Sequence, residues 1–68
     1  MTEEYIRDVG GRFLGIIETQ PNGDKTARMW QSRLIVGYYR KKSNTTTDFY
    51  GRIFSYGDTL AVLIYKNL

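Results

Sequence analysis

The sequence predicts an all-β or mainly β fold: one small antiparallel sheet, or a partly closed barrel, of five or six consecutive hairpin strands, with a short C-terminal helix at 59–65. Three observations predict it. Residues that fit a pleated surface (Ile, Val, Thr, Phe, Tyr, Trp) gather in short runs. Turn residues separate those runs by intervals too short for a parallel crossover, so neighbouring strands must be antiparallel. Finally, a frame of about 20 residues recurs, roughly the length of one hairpin unit. Arg12, Arg33 and Arg52 are spaced by 21 and 19, while Gly15 and Gly37, and Asn22 and Asn44, are spaced by 22. The 68 residues form one domain on this reading.

Strands are expected near 4–8, 12–19, 25–30, 33–40, 46–50 and 52–56. Pro21 presets φ for a corner and Asn22 and Gly23 tolerate positive φ, so Gln20–Asp24 is a turn. Gly10-Gly11, Gln31-Ser32 and Lys42-Ser43-Asn44 carry weaker turn chemistry. Beyond Gly57, Asp58 is placed to cap a helix whose Leu60, Leu63 and Ile64 fall on one face at i, i+3, i+4. A strand closing a barrel is the alternative for this tail.

Two segments are apolar on both faces. Under strict alternation, Leu34, Val36 and Tyr38 take one face of their strand and Ile35 and Tyr39 the other; Phe13–Ile17 behaves in the same way. One such face packs on the core. The other needs barrel closure, the C-terminal segment or a second copy of the chain. Gly15 and Gly37, inside strands, mark a bulge or a sharp bend.

Composition narrows the function. With no cysteine and no histidine, a disulfide framework, a thiolate metal site and imidazole-driven catalysis are excluded. The seven carboxylates are dispersed, and no metal or cofactor is expected. Neither a phosphate loop nor a GxSxG elbow occurs, and Asp48 and Asp58 form an acid–base pair only if the fold brings them together. The chain reads as non-catalytic. The acidic start and the absence of a long apolar run point to a soluble cytoplasmic protein with no membrane partner.

A domain of this size buries a thin core, and small proteins offset that with disulfides, a metal or a partner subunit. The first reading is therefore a binding or self-associating β module, with a homodimer its commonest form. The candidate surface interleaves cations with flat rings: Arg28, Trp30, Tyr39, Arg40, Lys41, Lys42 and Tyr50. Strand parity sets Arg28 and Trp30 on one face and offers Tyr50 as a neighbour. The same combination grips phosphates and stacks on unpaired bases, so a small nucleic-acid-binding β-barrel is the second reading. The +3 net charge is mild for that role. A small inhibitor docking on a larger enzyme is the third.

Overall fold

A computed structural model describes residues 1–68. Six strands follow one another in a single open antiparallel sheet in the order of the sequence: β1 (Thr2–Arg7), β2 (Phe13–Thr19), β3 (Lys25–Met29), β4 (Ile35–Arg40), β5 (Thr45–Asp48) and β6 (Ile53–Tyr56). The helix α1 (Leu60–Lys66) packs across β2, β3 and β4 on one face. The barrel alternative gives way to an open sheet, and the tail is helical. Leu60, Leu63 and Ile64 are its buried residues. No helix is long and apolar enough to cross a membrane.

Three tight turns lie at one end of the sheet, and two share a device. Asp8 Oδ1 accepts hydrogen bonds from the Gly10 and Arg12 amides at 2.9 Å each, and the Asp8 amide donates to the Arg12 carbonyl at 3.0 Å. Asp48 repeats this pattern with Tyr50 and Arg52 at 2.9 and 3.0 Å. Gly11 and Gly51 take the corner at φ +85° in both. The middle turn closes from the Met29 amide to the Leu34 carbonyl, and Arg33 stands at the left-handed corner with φ 61°. Arg33 thus occupies the place of the two glycines, and Leu34 that of Arg12 and Arg52. This corner is why β4 begins at Ile35 and not at 33, just as the Asp48 turn ends β5 before Phe49.

Immediately after each turn the ladder slips by one residue. Leu14, Val36 and Phe54 stand opposite no partner in β1, β3 and β5 respectively. Such a bulge breaks the two-residue alternation and re-aims a side chain. All three side chains join or pack against the core beneath α1. Strand β4 is apolar on both faces as expected, but the assignment of its residues to those faces is corrected. Val36 belongs with Tyr39 on the helix side, whereas Ile35, paired with Arg28, and Tyr38, paired with Thr26, face the other way.

The residue after each bulge is small, and at two of them the helix needs it so. A Cβ on Gly15 would lie 2.6 Å from the Arg28 carbonyl oxygen and 2.7 Å from Ile64 Cδ1. One on Gly37 would collide with the Thr47 carbonyl oxygen and stand 2.5 Å from Leu63 Cδ1. The core between sheet and helix is Leu14, Ile17, Ala27, Tyr39, Leu60, Leu63 and Ile64.

Polar side chains fix the start of the helix. Thr46, with 0% exposure, donates from Oγ1 to the Gly57 carbonyl at 2.7 Å and accepts from the Thr59 amide at 3.1 Å. Ser55 Oγ and Thr59 Oγ1 share a hydrogen bond. Asp58 is not the cap. Thr59 holds that position, while Asp58 Oδ2 binds Lys25 Nζ at 2.6 Å and Oδ1 reaches the Leu60 amide only at 3.4 Å.

Candidate interaction surface

The sheet face turned away from α1 is covered by no other element. Across β1, β2, β3 and β4 its central row reads Tyr5, Ile16, Arg28 and Ile35. Nearer the turns, Phe13 stacks on Trp30 with ring centroids 4.5 Å apart, and Tyr5 meets both rings edge-on at 5.8 and 5.9 Å. Such a cluster covers its neighbours, and Ile16 is buried although it belongs to the open face. Guanidinium groups flank the rings, Arg33 at 4.3 Å from Trp30 and Arg7 at 5.1 Å from Phe13.

Charges of both signs lie beside the aromatic cluster. Arg28 Nε donates to Glu18 Oε1 at 3.0 Å, and its terminal nitrogen donates to the Arg33 carbonyl at 3.0 Å. Tyr5 donates to Glu3 at 3.1 Å, and that bond to a carboxylate holds the Tyr5 hydroxyl above its ordinary pKa. The result is a shallow depression of about 410 Å³ floored by Ile16 and walled by Glu3, Glu18, Arg28, Trp30 and Arg33.

The seven candidate residues do not form one site. Arg28 and Trp30 share the open face as expected. Tyr39 does not: its ring is in the core beneath α1 with 9% exposure, and its hydroxyl donates to Asn44 Oδ1 at 2.7 Å. Arg40, Lys41 and Lys42 stand at the far end of the sheet, beside the 20–24 turn. There Arg40 lies 3.7 Å from Asp24, and the Lys41 amide donates to Asp24 Oδ1 at 3.0 Å. Tyr50 projects from the β5–β6 turn against Phe49, with Arg52 at 5.7 Å from its ring. Its parity expectation fails because Thr46 and Asp48 pair with Tyr39 and Gly37 on the helix side. Sequence reasoning missed Tyr5, Phe13 and Arg7, which complete the aromatic cluster; Arg33, which also interleaves with these rings in the sequence, stands over Trp30. Only the register, which sets Tyr5 opposite Ile16 and Ile16 opposite Arg28, brings them together.

A wider open groove of about 970 Å³ separates the 30–34 and 48–52 turns at the helix C-terminal end, lined by residues including Leu34, Val36, Ile53 and Leu63. Its single carboxylate, Asp48, is engaged by Arg52 within the turn, and Lys66 also lines the groove. Asp48 and Asp58 are not brought together, since Asp58 binds Lys25 at the opposite end of β5. No group of three acidic side chains is placed to hold a metal ion.

No protein-family model, curated protein or solved structure matches this chain.

Proposed function

We propose that this protein is a non-catalytic β module of the cytoplasm that works by association, with itself first and with a protein partner second. The observation that carries the reading is the uncovered sheet face, where Tyr5, Phe13 and Trp30 converge over Ile16 with no element of the chain packed on them. Monomeric proteins rarely leave large contiguous apolar patches in water, and aromatic residues with arginine are enriched where proteins meet. Mixed charge on the same face, Glu3 and Glu18 beside Arg28 and Arg33, suits a self-complementary contact better than a polyanion. Sedimentation equilibrium from low to high micromolar concentration tests it. A mass rising above 7.9 kDa is expected; a strict monomer throughout defeats self-association.

Nucleic-acid binding is the second reading, favoured by the Arg33–Trp30 and Arg7–Phe13 contacts. Against it, the Trp30 ring already contacts both Phe13 and Arg33, so a base has to displace a partner to stack there. Titration of single-stranded DNA and RNA at low salt separates the two readings. Salt-sensitive binding lost in Arg7→Glu with Arg33→Glu supports the second; no binding removes it.

A further inference from the structure

We propose that the free edge of β6 receives β1 of a second copy of this chain, continuing the sheet head to tail. This rests on the self-association reading above and adds to its open face a second contact, made by the sheet edges.

The argument is internal to the fold. Strands β2, β4 and β6 each follow a tight turn and carry a bulged apolar residue, Leu14, Val36 or Phe54, ahead of a small one, Gly15, Gly37 or Ser55. On their far sides β2 and β4 pair by one rule. Gly15 faces Met29 and Ile16 faces Arg28; Gly37 faces Asp48 and Tyr38 faces Thr47. In both, the small residue after the bulge stands opposite the residue that opens the next turn. Strand β6 has the same construction but no following strand, because the chain turns at Gly57 into the helix.

The strand that satisfies the rule is β1. Its neighbour Asp8 opens a turn exactly as Met29 and Asp48 do, donating its amide across the hairpin at 3.0 Å. In an antiparallel meander β1 also runs in the direction of β3 and β5, the direction β6 needs beside it. Extending the rule sets Ser55 opposite Asp8 and Tyr56 opposite Arg7 of the second copy.

The β1 edge is poorly suited to pairing with itself. Strand β1 carries Glu3 and Glu4 next to one another. Pairing β1 with β1 would set those carboxylates near one another. The β6 edge has no proline or lysine, and Ile53 and Tyr56 are 58% and 76% exposed; its four-residue length and the Phe54 bulge limit how much of it can pair. The contact is short and therefore weak. Being heterologous, it builds chains or closes into a ring.

The absence of cysteine makes the test direct. Directly opposed residues in an antiparallel pair have Cα atoms about 4.5–5.5 Å apart, within reach of a disulfide. Arg7 and Tyr56 are both exposed, so cysteine is tolerated at each. The double variant Arg7→Cys/Tyr56→Cys, oxidised mildly at high micromolar concentration, is expected to give a ladder of dimers and larger species on a non-reducing gel. The out-of-register double variant Glu3→Cys/Tyr56→Cys is expected to give at least several-fold less. Equal cross-linking by the two overturns the proposed register. Dimerisation of Tyr56→Cys alone to the same extent overturns it in favour of β6 pairing with β6. If the double variant stays monomeric while the unaltered protein sediments above 7.9 kDa, association uses another surface and only this inference falls. If the unaltered protein is monomeric throughout, the self-association reading falls as well.

Discussion

Gly15 and Ile64 define how closely the helix approaches the sheet: a Cβ on the glycine would lie 2.7 Å from Ile64 Cδ1. The backbone of β2 is the floor on which α1 rests. Gly15→Ala is expected to cost about 1–3 kcal/mol, because the helix and the Arg28 carbonyl must both give way. Gly51→Ala makes a useful comparison. Open space surrounds that position, so only its left-handed φ of +85° penalises the change, by about 1–2 kcal/mol. Urea unfolding of the two variants checks the first cost, and an unchanged midpoint for Gly15→Ala contradicts the close packing.

Thr46→Val should be among the more damaging isosteric changes. It leaves the Gly57 carbonyl and the Thr59 amide without the partner that now serves both. Unsatisfied buried groups cost about 1–3 kcal/mol each, so a loss of about 2–4 kcal/mol is expected, with Thr46→Ser retaining most of the stability. Thermal melts followed by circular dichroism measure it. Equal melting of the Val and Ser variants would show that the hydroxyl does not anchor the helix.

Acid should weaken the fold through two turns. The Arg12 amide holds the Asp8 carboxyl below its ordinary 3.8. At Asp48, desolvation pushes the other way, but the Arg52 amide and guanidinium together with the Tyr50 amide outweigh it and the net shift is also downward. A depressed native pKa contributes stability that is complete above the ordinary value of 3.8 and lost as pH falls through the native one. Denaturant titrations from pH 6 to 2 should show the decline beginning near about pH 4. The variant Asp8→Asn/Asp48→Asn is expected to be less stable at pH 6 and to have a flatter acid limb. An acid limb as steep as that of the unaltered protein assigns the effect to other carboxylates.

Arg33→Gly sets two effects of similar size against each other. Glycine removes the strain of a left-handed corner, about 1–2 kcal/mol, but loses the guanidinium contact with Trp30, about 0.5–1 kcal/mol at an exposed site. Stability should therefore hold or rise slightly, while emission from Trp30, the single tryptophan, changes. A loss above about 1 kcal/mol would mean that Arg33 contributes more than its contact with the ring.

Much of the fold was legible because its signals are local. Pro21-Asn22-Gly23 placed a turn, and the spacing of Leu60, Leu63 and Ile64 placed the buried face of a helix. The Asp-x-x-Gly-Arg spacing at 8–12 and 48–52 is also present, though a frame of Arg, Gly and Asn positions passes over its aspartates and puts Arg33 in step with Arg12 and Arg52. The bulges were not legible. Leu34-Ile35-Val36 reads the same whether the strand alternates or slips, and only pairing with Ala27 and Arg28 decides which residue is left over.

The sequence by itself determined the class of the domain, the order of its strands, the turns and the helical tail, since each depends on residues a few positions apart. Tertiary structure decided which face each side chain took. Tyr39 went to the core and Tyr5 to the open face because register and bulge position, unlike periodicity, are set by contacts between strands. It also decided that the sheet stays open. That is why the chain ends with two unpaired edges and an aromatic face that its own helix does not cover.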